Sequence, residues 1–303
     1  MSGAVTDRSV RSLLKQGISH LRRANVSSFT LAAELLLLHV AGHDRAWLYA
    51  HPEEILSVEV AKDYFVLIQR RASGEPTQHI TGKQEFWGLE FEVSPDVLIP
   101  RPETEHLIEV ALDRLTLREI RAGRPPRLTG NGITLVDIGT GSGCIAIALA
   151  RELYQATIYA ADISAVALAV ARRNAGRFGL ADSIRFIESD LFAAFTPVRF
   201  DLILSNPPYV SRRTAETLAR EVREHEPEVA LYGGEEGYEF YAGLVAQSHE
   251  FLKPGGLLVL ELGHDSLPAV QPLFESRHWT NLGVTNDLAG VPRVLAAERV
   301  TTS

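Results

Sequence analysis

Short apolar segments recur through the last two thirds of the chain, and helical or connecting stretches lie between most of them. Each has five or six residues and most are rich in Val, Ile and Leu, as expected of strands buried on both faces. Strands that alternate with helices are typical of βαβ units, which build a parallel sheet. We therefore predict an α/β fold with a mostly parallel sheet, whose strands lie at residues 133–138, 157–161, 184–188, 200–205 and 257–262.

Elsewhere the apolar pattern has other periods. In residues 8–75 apolar residues recur at helical spacing, which predicts a small helical bundle. Residues 86–93 alternate between apolar and polar and contain a glycine turn, as a β-hairpin does. Residues 281–285 and 293–297 have the pattern of two short strands, so we predict an antiparallel hairpin that closes the sheet.

These patterns divide the chain into three parts. We expect an N-terminal helical bundle over residues 1–75, a β-hairpin linker over residues 76–100 and an α/β domain over residues 101–303. The residues suited to chemistry all lie after residue 98, so we expect the bundle to serve substrate recognition. The alternative is that the bundle only stabilises the larger domain.

Composition excludes several classes of function. The chain has 30 Lys and Arg against 38 Asp and Glu, a net charge of −8, so we expect no direct contact with nucleic acid. The single Cys144 permits no intramolecular disulfide and suits a reducing compartment. No apolar segment is long enough for a membrane span or a signal peptide, which favours a cytoplasmic protein. His39 and His43 have metal-ligand spacing, but no Glu follows His39, and we expect no metal.

A glycine-rich loop, V-D-I-G-T-G-S-G at residues 136–143, follows the first predicted strand and precedes a helix. Glycines there let the backbone turn sharply and let a ligand approach closely. The dinucleotide fingerprint requires a third glycine at the sixth position, where Cys144 stands instead. The loop therefore predicts a nucleoside-type ligand and excludes a dinucleotide-dependent dehydrogenase. Cys144 itself lies in an apolar helical context that favours core packing over nucleophilic chemistry.

Acidic residues follow the next two predicted strands. Asp162 lies where a carboxylate can bind ribose hydroxyls, and Asp190 lies where it can accept a hydrogen bond from an adenine amine. Each could instead be a helix N-cap. Three such sites at successive strand ends suit an adenosyl ligand lying across the carboxyl edge of the sheet.

A third motif, S-N-P-P-Y-V at residues 205–210, follows the fourth predicted strand. Asn206 offers an amide oxygen, and the prolines have no N–H and leave carbonyls free to accept hydrogen bonds. Tyr209 adds a flat face. Such a group suits a planar –NH₂ nucleophile, whereas the alternative is a proline-rich turn in which Asn206 caps a helix.

Four segments resemble one family: I-P-R-P-E-T-E at 99–105, the glycine loop, S-N-P-P-Y-V, and E-P…L-Y-G-G at 226–234. Together they are similar to the peptide chain release factor N5-glutamine methyltransferases, the HemK/PrmC family, and the resemblance covers the whole chain. It implies a class I S-adenosylmethionine-dependent methyltransferase fold, which is Rossmann-like. It also implies S-adenosyl-L-methionine as cofactor and methylation of the glutamine amide in the Gly-Gly-Gln loop of class 1 peptide chain release factors.

The resemblance also implies the site residues. Those that would bind the cofactor are Gly139, Thr140, Gly141, Ser142, Gly143, Asp162, Asp190, Leu191 and Asn206. Those that would hold the glutamine are Asn206, Pro207, Pro208 and Tyr209. Leu191 stands where some relatives have Trp, so the adenine contact here is expected to be aliphatic, with Phe192 as a possible aromatic substitute.

For catalysis we expect Asn206, Pro207 and Tyr209 to act on the glutamine amide. The Asn206 oxygen and the Pro207 carbonyl would accept its two N–H bonds, and Tyr209 would pack on its plane. The amide proton becomes acidic only after transfer, so no dedicated base is expected. His225 and Glu226 are the alternative acceptors of that proton, but a role in a solvated loop is expected for both.

Three other functions compete with this one. A sister group that methylates a glutamine of a ribosomal protein shares Asn-Pro-Pro-Tyr, but Pro-Glu-Thr-Glu at 102–105 favours the release-factor branch. A DNA adenine-N6 methyltransferase would need a basic target-recognition region, which the sequence does not show. A non-enzymatic factor-binding module would not need the intact glycine loop, Asp162 and Asn206.

Overall fold

The computed structural model describes residues 7–121, 123, 129–196 and 198–301. Two compact units make up the chain. The first consists of Met1–Lys83 together with Ala219–His225, and the second of Gln84–Leu218 and Glu226–Ser303. The recognition role of the bundle stays a prediction.

The first unit is helical, as predicted. Serine side chains begin two of its helices, since Ser9 and Ser57 accept hydrogen bonds from the N–H groups of Ser12 and Val60. Gly42, with φ of 70°, ends another. An ion pair joins Arg71, in the helix Val58–Ala72, to Glu221, in the helix Arg220–His225. The helices are α1 (Val10–Arg23), α2 (Phe29–Ala41), α3 (Arg45–Ala50), α4 (Val58–Ala72), α5 (Thr77–Thr81) and α9 (Arg220–His225).

The second unit is built on a seven-stranded sheet in the order β10-β11-β9-β6-β3-β4-β5. The five strands from β9 to β5 are parallel, and β10 and β11 form an antiparallel hairpin that closes one edge. The mostly parallel sheet with a closing hairpin is thus confirmed. Its strands are β3 (Thr134–Ile138), β4 (Thr157–Asp162), β5 (Ile184–Glu188), β6 (Phe200–Ser205), β9 (Leu252–Glu261), β10 (Trp279–Asn286) and β11 (Pro292–Arg299).

Hydrophobic cores lie on both faces of this sheet because successive side chains of a strand point to opposite faces. In β3, Leu135 belongs to one core and Val136 to the other. In β6, Leu204 and Ile203 divide in the same way. The helices of this unit are α6 (Glu105–Arg121), α7 (Cys144–Glu152), α8 (Ala165–Arg177), α10 (Glu228–Leu231), α11 (Glu239–Phe251) and α12 (Leu267–Val270).

Two small pairs of strands accompany the sheet. The predicted hairpin is confirmed as β1 (Lys83–Phe86) and β2 (Leu89–Glu92), joined by Trp87 and Gly88 with φ of 55° and 68°. Its residues Phe86 and Phe91 are buried in the core of the second unit. The other pair, β7 (Val210–Ser211) with β8 (Tyr232–Gly234), is parallel and was not predicted.

The order of the strands reverses at β3 and β6, since the chain builds β4 and β5 on one side of β3 and β6 and β9 on the other. Ligands of open α/β sheets bind in the crevice at such a switch point, outside the carboxyl ends of the strands. The glycine loop leaves β3, and Asn206 follows β6, so both motifs lie at this crevice.

Over the described residues, the structure contains no helix that is both long and apolar enough to cross a membrane.

Candidate active site

A cavity of about 540 Å³ lies at the carboxyl edge of the sheet, beside the switch point. Its volume is within the range typical of small-molecule sites. The glycine loop, the ends of β4 and β5, the loop after β6 and α10 all contribute to it. The lining residues are Asp96, Val97, Leu98, Ile138, Gly139, Gly141, Asp162, Ile163, Ser164, Ala167, Ser189, Asp190, Leu191, Asn206, Pro208, Arg212, Pro227, Glu228, Val229, Ala230, Tyr232 and Phe240.

Two glycines of the loop form an open cradle on this cavity. Gly139 and Gly141 line it with φ of 76° and 54°, a conformation that other residues rarely adopt. A Cβ added at either position would meet no atom within 4 Å and would project into free space. The N–H groups of Gly139 and Thr140 donate to the Ala161 carbonyl at 2.8 and 2.9 Å, which fixes the loop against β4.

The other three residues of the loop do not line the cavity. Thr140 is buried and donates its hydroxyl to Asp137 at 2.7 Å. Ser142 is also buried, and Gly143 is the N-cap of α7. Asp137, which the sequence analysis did not single out, is fully buried, and burial raises the pKa of its carboxyl to about 7. Thr140, Ser142 and Gly143 therefore shape the loop from behind.

Asp162 lines the cavity with both carboxylate oxygens anchored. One oxygen accepts the Gly141 N–H at 2.8 Å and the other the Ser164 N–H at 2.9 Å. The N-cap of α8 is Ser164, so the helix-cap alternative for Asp162 is wrong. Burial raises the pKa of Asp162, and these N–H bonds act in the opposite direction. Each oxygen keeps a lone pair for a ligand hydroxyl.

The turn after β5 brings Asp190 and Leu191 to the same cavity. Ser189 stabilises this turn, because its hydroxyl donates to the Leu191 carbonyl and accepts the Ala194 N–H. Leu191, with φ of 46°, lines the cavity at this turn. The expectation that Phe192 substitutes for an aromatic here is wrong, since Phe192 is buried and stacks on Phe251 at 4.6 Å. The aromatic residues that do line the cavity are Tyr232 and Phe240.

The loop after β6 contributes two of its four predicted residues to the lining, namely Asn206 and Pro208. Pro207 is buried. The Tyr209 ring lies beside Gly263, where an added Cβ would be 2.7 Å from its Cδ2. Asn206 caps no helix, because β7 follows the loop, and its amide Nδ2 donates to the Thr104 hydroxyl at 3.1 Å.

Glycines of the L-Y-G-G segment pack closely against this loop. A Cβ at Gly233 would lie 2.3 Å from the Pro208 carbonyl oxygen, so only glycine fits there. Val210 pairs with Tyr232, and Ser211 with Gly234, which fixes the loop between the sheet and β8.

The expectation that Glu226 lies in a solvated loop is wrong. Glu226 is buried, and it pairs with the Arg101 guanidinium at 2.5 Å and accepts the Ile99 N–H at 3.3 Å. It therefore fixes the I-P-R-P segment near the cavity. The expectation for His225 is also wrong, because that residue is half-buried at the end of α9.

Sequence reasoning missed several residues of this region. Residues 96–98 and 228–230 line the cavity from a loop and a short helix that carry no chemical motif. Thr104 and Glu261 are buried behind Asn206 and are far from it in sequence. Glu261 had one available signal, because it ends β9 as Asp162 ends β4.

Metal and thiol chemistry have no support in the described residues. No group of three His, Cys, Asp or Glu residues among them could hold a metal ion. Cys144 is buried, and burial raises the pKa of its thiol to about 12, so it packs in the core as expected.

Comparison with known proteins gives two family matches and close relatives. Residues 12–82 match a family model described as PrmC N-terminal domain, and residues 126–235 match one described as methyltransferase small domain. The release factor glutamine methyltransferase of Koribacter versatilis is 44% identical over 285 residues, which cover 94% of this chain and 96% of that protein. The enzyme of the same name from Nitratidesulfovibrio vulgaris is 39% identical over 96% of this chain and 95% of its own length.

Among solved structures, the hMettl16 catalytic domain, crystallised with the MAT2A 3′UTR hairpin 6, superposes with a TM-score of 0.54. It is 18% identical and covers 78% of this chain and 82% of its own. That likeness concerns the fold alone, and it agrees with the class I methyltransferase fold expected from the sequence.

Proposed function

This chain belongs to the release factor glutamine methyltransferase family, and from that premise we propose how it acts on its substrate. The proposed reaction transfers a methyl group from S-adenosylmethionine to the side-chain amide nitrogen (N5) of glutamine in the Gly-Gly-Gln loop of class 1 peptide chain release factors. One observation carries the proposal: a single cavity contains the cradle of Gly139 and Gly141, the Asp162 carboxylate and the Asn206 amide.

The residues present fit an adenosyl cofactor. The open space at Gly139 and Gly141 admits a ligand against the backbone. Asp162 is a fixed acceptor suited to ribose hydroxyls, and Asp190 and Leu191 provide a polar and an apolar contact suited to the adenine. When bound, S-adenosylmethionine supplies a methyl group on positively charged sulfur, which needs no further activation.

The protein must then orient a poor nucleophile. The lone pair of an amide nitrogen is delocalised into the carbonyl, so positioning and exclusion of water provide most of the catalysis. Such positioning is worth roughly 7–11 kcal/mol at best. We assign the two N–H bonds of the glutamine amide to the Asn206 Oδ1 and the Pro207 carbonyl. Both bonds strengthen as positive charge develops on the nitrogen.

Tyr209 is assigned to the plane of the glutamine amide, with its ring supported by Gly263. Pro208 lines the cavity beside Asn206 and is assigned to the same glutamine side chain. The nitrogen releases one proton after the N–C bond forms, and that proton is acidic enough to pass to water. No side chain is needed as a general base, which agrees with Glu226 being engaged by Arg101.

The partner is a protein loop that presents glutamine, and we propose that neither nucleic acid nor a membrane takes part. The net charge of −8 supports the first exclusion, because phosphate binding relies on Lys and Arg.

The test is transfer of a labelled methyl group from S-adenosylmethionine to a purified class 1 release factor. We expect label on the native factor and none on a factor whose Gly-Gly-Gln glutamine is replaced by Ala. Equal labelling of both factors would overturn the assignment. So would methylation of a ribosomal protein or of duplex DNA adenine as fast as that of the factor.

A further inference from the structure

Behind Asn206 lie two buried polar groups that the proposed mechanism does not use. Asn206 Nδ2 donates to the Thr104 hydroxyl at 3.1 Å, and the Thr104 side chain holds the pKa of the Glu261 carboxyl down against the effect of burial. Thr104 and Glu261 are 2% and 3% exposed. One Glu261 oxygen, Oε2, has no hydrogen-bond partner in the described part of the chain. A buried carboxylate left short of partners is costly, which points to a function.

The fold places Asn206, Thr104 and Glu261 together. β6 and β9 are neighbours, and Ser205 at the end of one pairs with Leu260 of the other, so Asn206 and Glu261 leave the sheet side by side. Thr104 lies in the 3₁₀ turn before α6, where its N–H donates to the Arg101 carbonyl. The Tyr241 hydroxyl donates to the Glu261 carbonyl at 2.8 Å and fixes the end of β9.

The direction of the hydrogen bonds follows from the chemistry of each group. Where the Glu261 carboxyl is ionised it only accepts hydrogen bonds, so we direct the single Thr104 O–H to it. The Thr104 oxygen can then only accept, and Asn206 must present its NH₂ group to it. Asn206 consequently offers Oδ1 as its acceptor.

We propose that Thr104 and Glu261 are positioning residues that hold the Asn206 amide with its oxygen available to the substrate –NH₂ group. This assignment rests on the proposed function, in which Asn206 accepts a hydrogen bond from the glutamine amide. With the amide reversed, Asn206 would present its own N–H groups to the N–H groups of the substrate glutamine. Two donors cannot form a hydrogen bond, so the nucleophile would not be held.

A double-mutant cycle tests the assignment in the full-length enzyme. Thr104→Val keeps the side-chain shape and removes the hydroxyl, and we expect it to lower kcat for the release factor about 10-fold. In an Asn206→Ala background the same change should have no further effect, because its target is gone. Thr104→Ser, which restores the hydroxyl, should return kcat to near the native value. Calorimetric Kd for S-adenosylmethionine should not change in Thr104→Val or Thr104→Ser.

A second readout does not depend on activity. The side-chain NH₂ resonances of Asn206, identified by their loss in Asn206→Ala, should shift in Thr104→Val and also in Glu261→Gln. In the Thr104→Val background, Glu261→Gln should shift them no further. Asn206 resonances that shift in neither variant would overturn the positioning role of Thr104 and Glu261. An equal loss of kcat from Thr104→Val in both backgrounds would also overturn it. Absence of methyl transfer by the native enzyme would instead overturn the proposed function, and the resonance shifts would still test the positioning role.

Discussion

Asp162 shows how the backbone N–H groups of other residues prepare one carboxylate for a ligand. Its oxygens accept the N–H groups of Gly141 and Ser164, so the carboxylate is held in place without restricting its remaining lone pairs. Gly141 also lines the cavity, and the same hydrogen bond therefore couples the carboxylate to the glycine loop.

We expect Asp162→Ala to weaken the binding of S-adenosylmethionine by roughly 10- to 150-fold, since hydrogen bonds to a charged group are worth about 1.5–3 kcal/mol. Isothermal calorimetry with the cofactor and with its demethylated product measures this directly. Asp182→Ala, at an exposed position before β5, is the matched control and should leave Kd unchanged. Native affinity in a folded Asp162→Ala variant would remove Asp162 from the site.

Glu261 should make stability depend on pH. Burial raises the pKa of its carboxyl from 4.5 to about 7, and the Thr104 hydrogen bond acts in the opposite direction. Glu103 raises the pKa further, whereas Arg293 and Arg101 lower it. The folded state then binds the proton more tightly than the unfolded state, so this group's stabilising contribution is lost as pH rises from 4.5 to about 7.

Glu261→Gln removes that titration. We expect the Tm of the native protein to fall more between pH 4.5 and pH 8 than the Tm of the variant, with the difference developing below about pH 7. Scanning calorimetry across this range provides the comparison, and Glu228→Gln, on the exposed side of α10, is the control. Parallel Tm profiles for native protein and Glu261→Gln would show that Glu261 does not titrate in this way.

At the residue scale, motifs predicted positions well but not side-chain directions. Gly139, Gly141, Asp162 and Asn206 line the cavity as a strand-end pattern predicts. Within the same loop Thr140 turns inward to Asp137, because a buried carboxylate needs a donor, and no spacing rule shows which side chain provides it. Thr104 and Glu261 reach Asn206 only through the tertiary fold, so the sequence alone could not join them.

At the scale of elements, the Asn206 loop owes its shape to the pairing of β7 with β8. This pairing brings Gly233 against the Pro208 carbonyl, closer than any side chain allows. The L-Y-G-G segment therefore acts on the substrate loop through the backbone.

Gly233→Ala should displace that loop. A Cβ 2.3 Å from the Pro208 oxygen forces the backbone to move, and a misplacement of about 1 Å can lower the rate on the order of 10²-fold. We expect kcat to fall while the cofactor Kd changes less. Gly176→Ala in α8, where a Cβ would meet nothing within 4 Å, should be neutral or slightly stabilising. Native kcat in Gly233→Ala would mean that the loop tolerates the shift.

The longer elements were predictable because their periods are repeated over many residues. The five parallel strands and the closing hairpin formed where the sequence indicated, although β9 begins at Leu252, five residues before the expected start at 257. The pair β7 and β8 and the four-residue helix α10 were missed, since such short elements depend on tertiary contacts more than on local pattern.

At the scale of the whole molecule, a single glutamine offers too few atoms for tight selection, so specificity requires contacts remote from the reaction. The first unit carries no cofactor motif, and its helix α2 exposes Leu31 and Leu35, one turn apart on the same face. We propose that this unit recognises the release factor.

Replacing Leu31 and Leu35 together by Ser should raise KM for the release factor about 10-fold, because burying exposed apolar surface at an interface stabilises the complex. The kcat at saturating factor and the cofactor Kd should stay native. Leu117→Ser with Ile120→Ser, a similarly exposed pair on α6, is the control. Unchanged KM in the α2 variant, with KM raised in the α6 control, would place recognition on the second unit.

We infer that the Asn206 loop directs the methyl group to one glutamine nitrogen. Mass spectrometry of the methylated product tests this inference most directly. After reaction with S-adenosylmethionine, fragmentation of the release factor should locate a single methyl group on the side-chain amide of the Gly-Gly-Gln glutamine. The same analysis with Asn206→Ala, at saturating cofactor, should show a rate lower by on the order of 10²-fold. A methyl group on any other residue, or native-rate methylation of that glutamine by Asn206→Ala, would contradict the account.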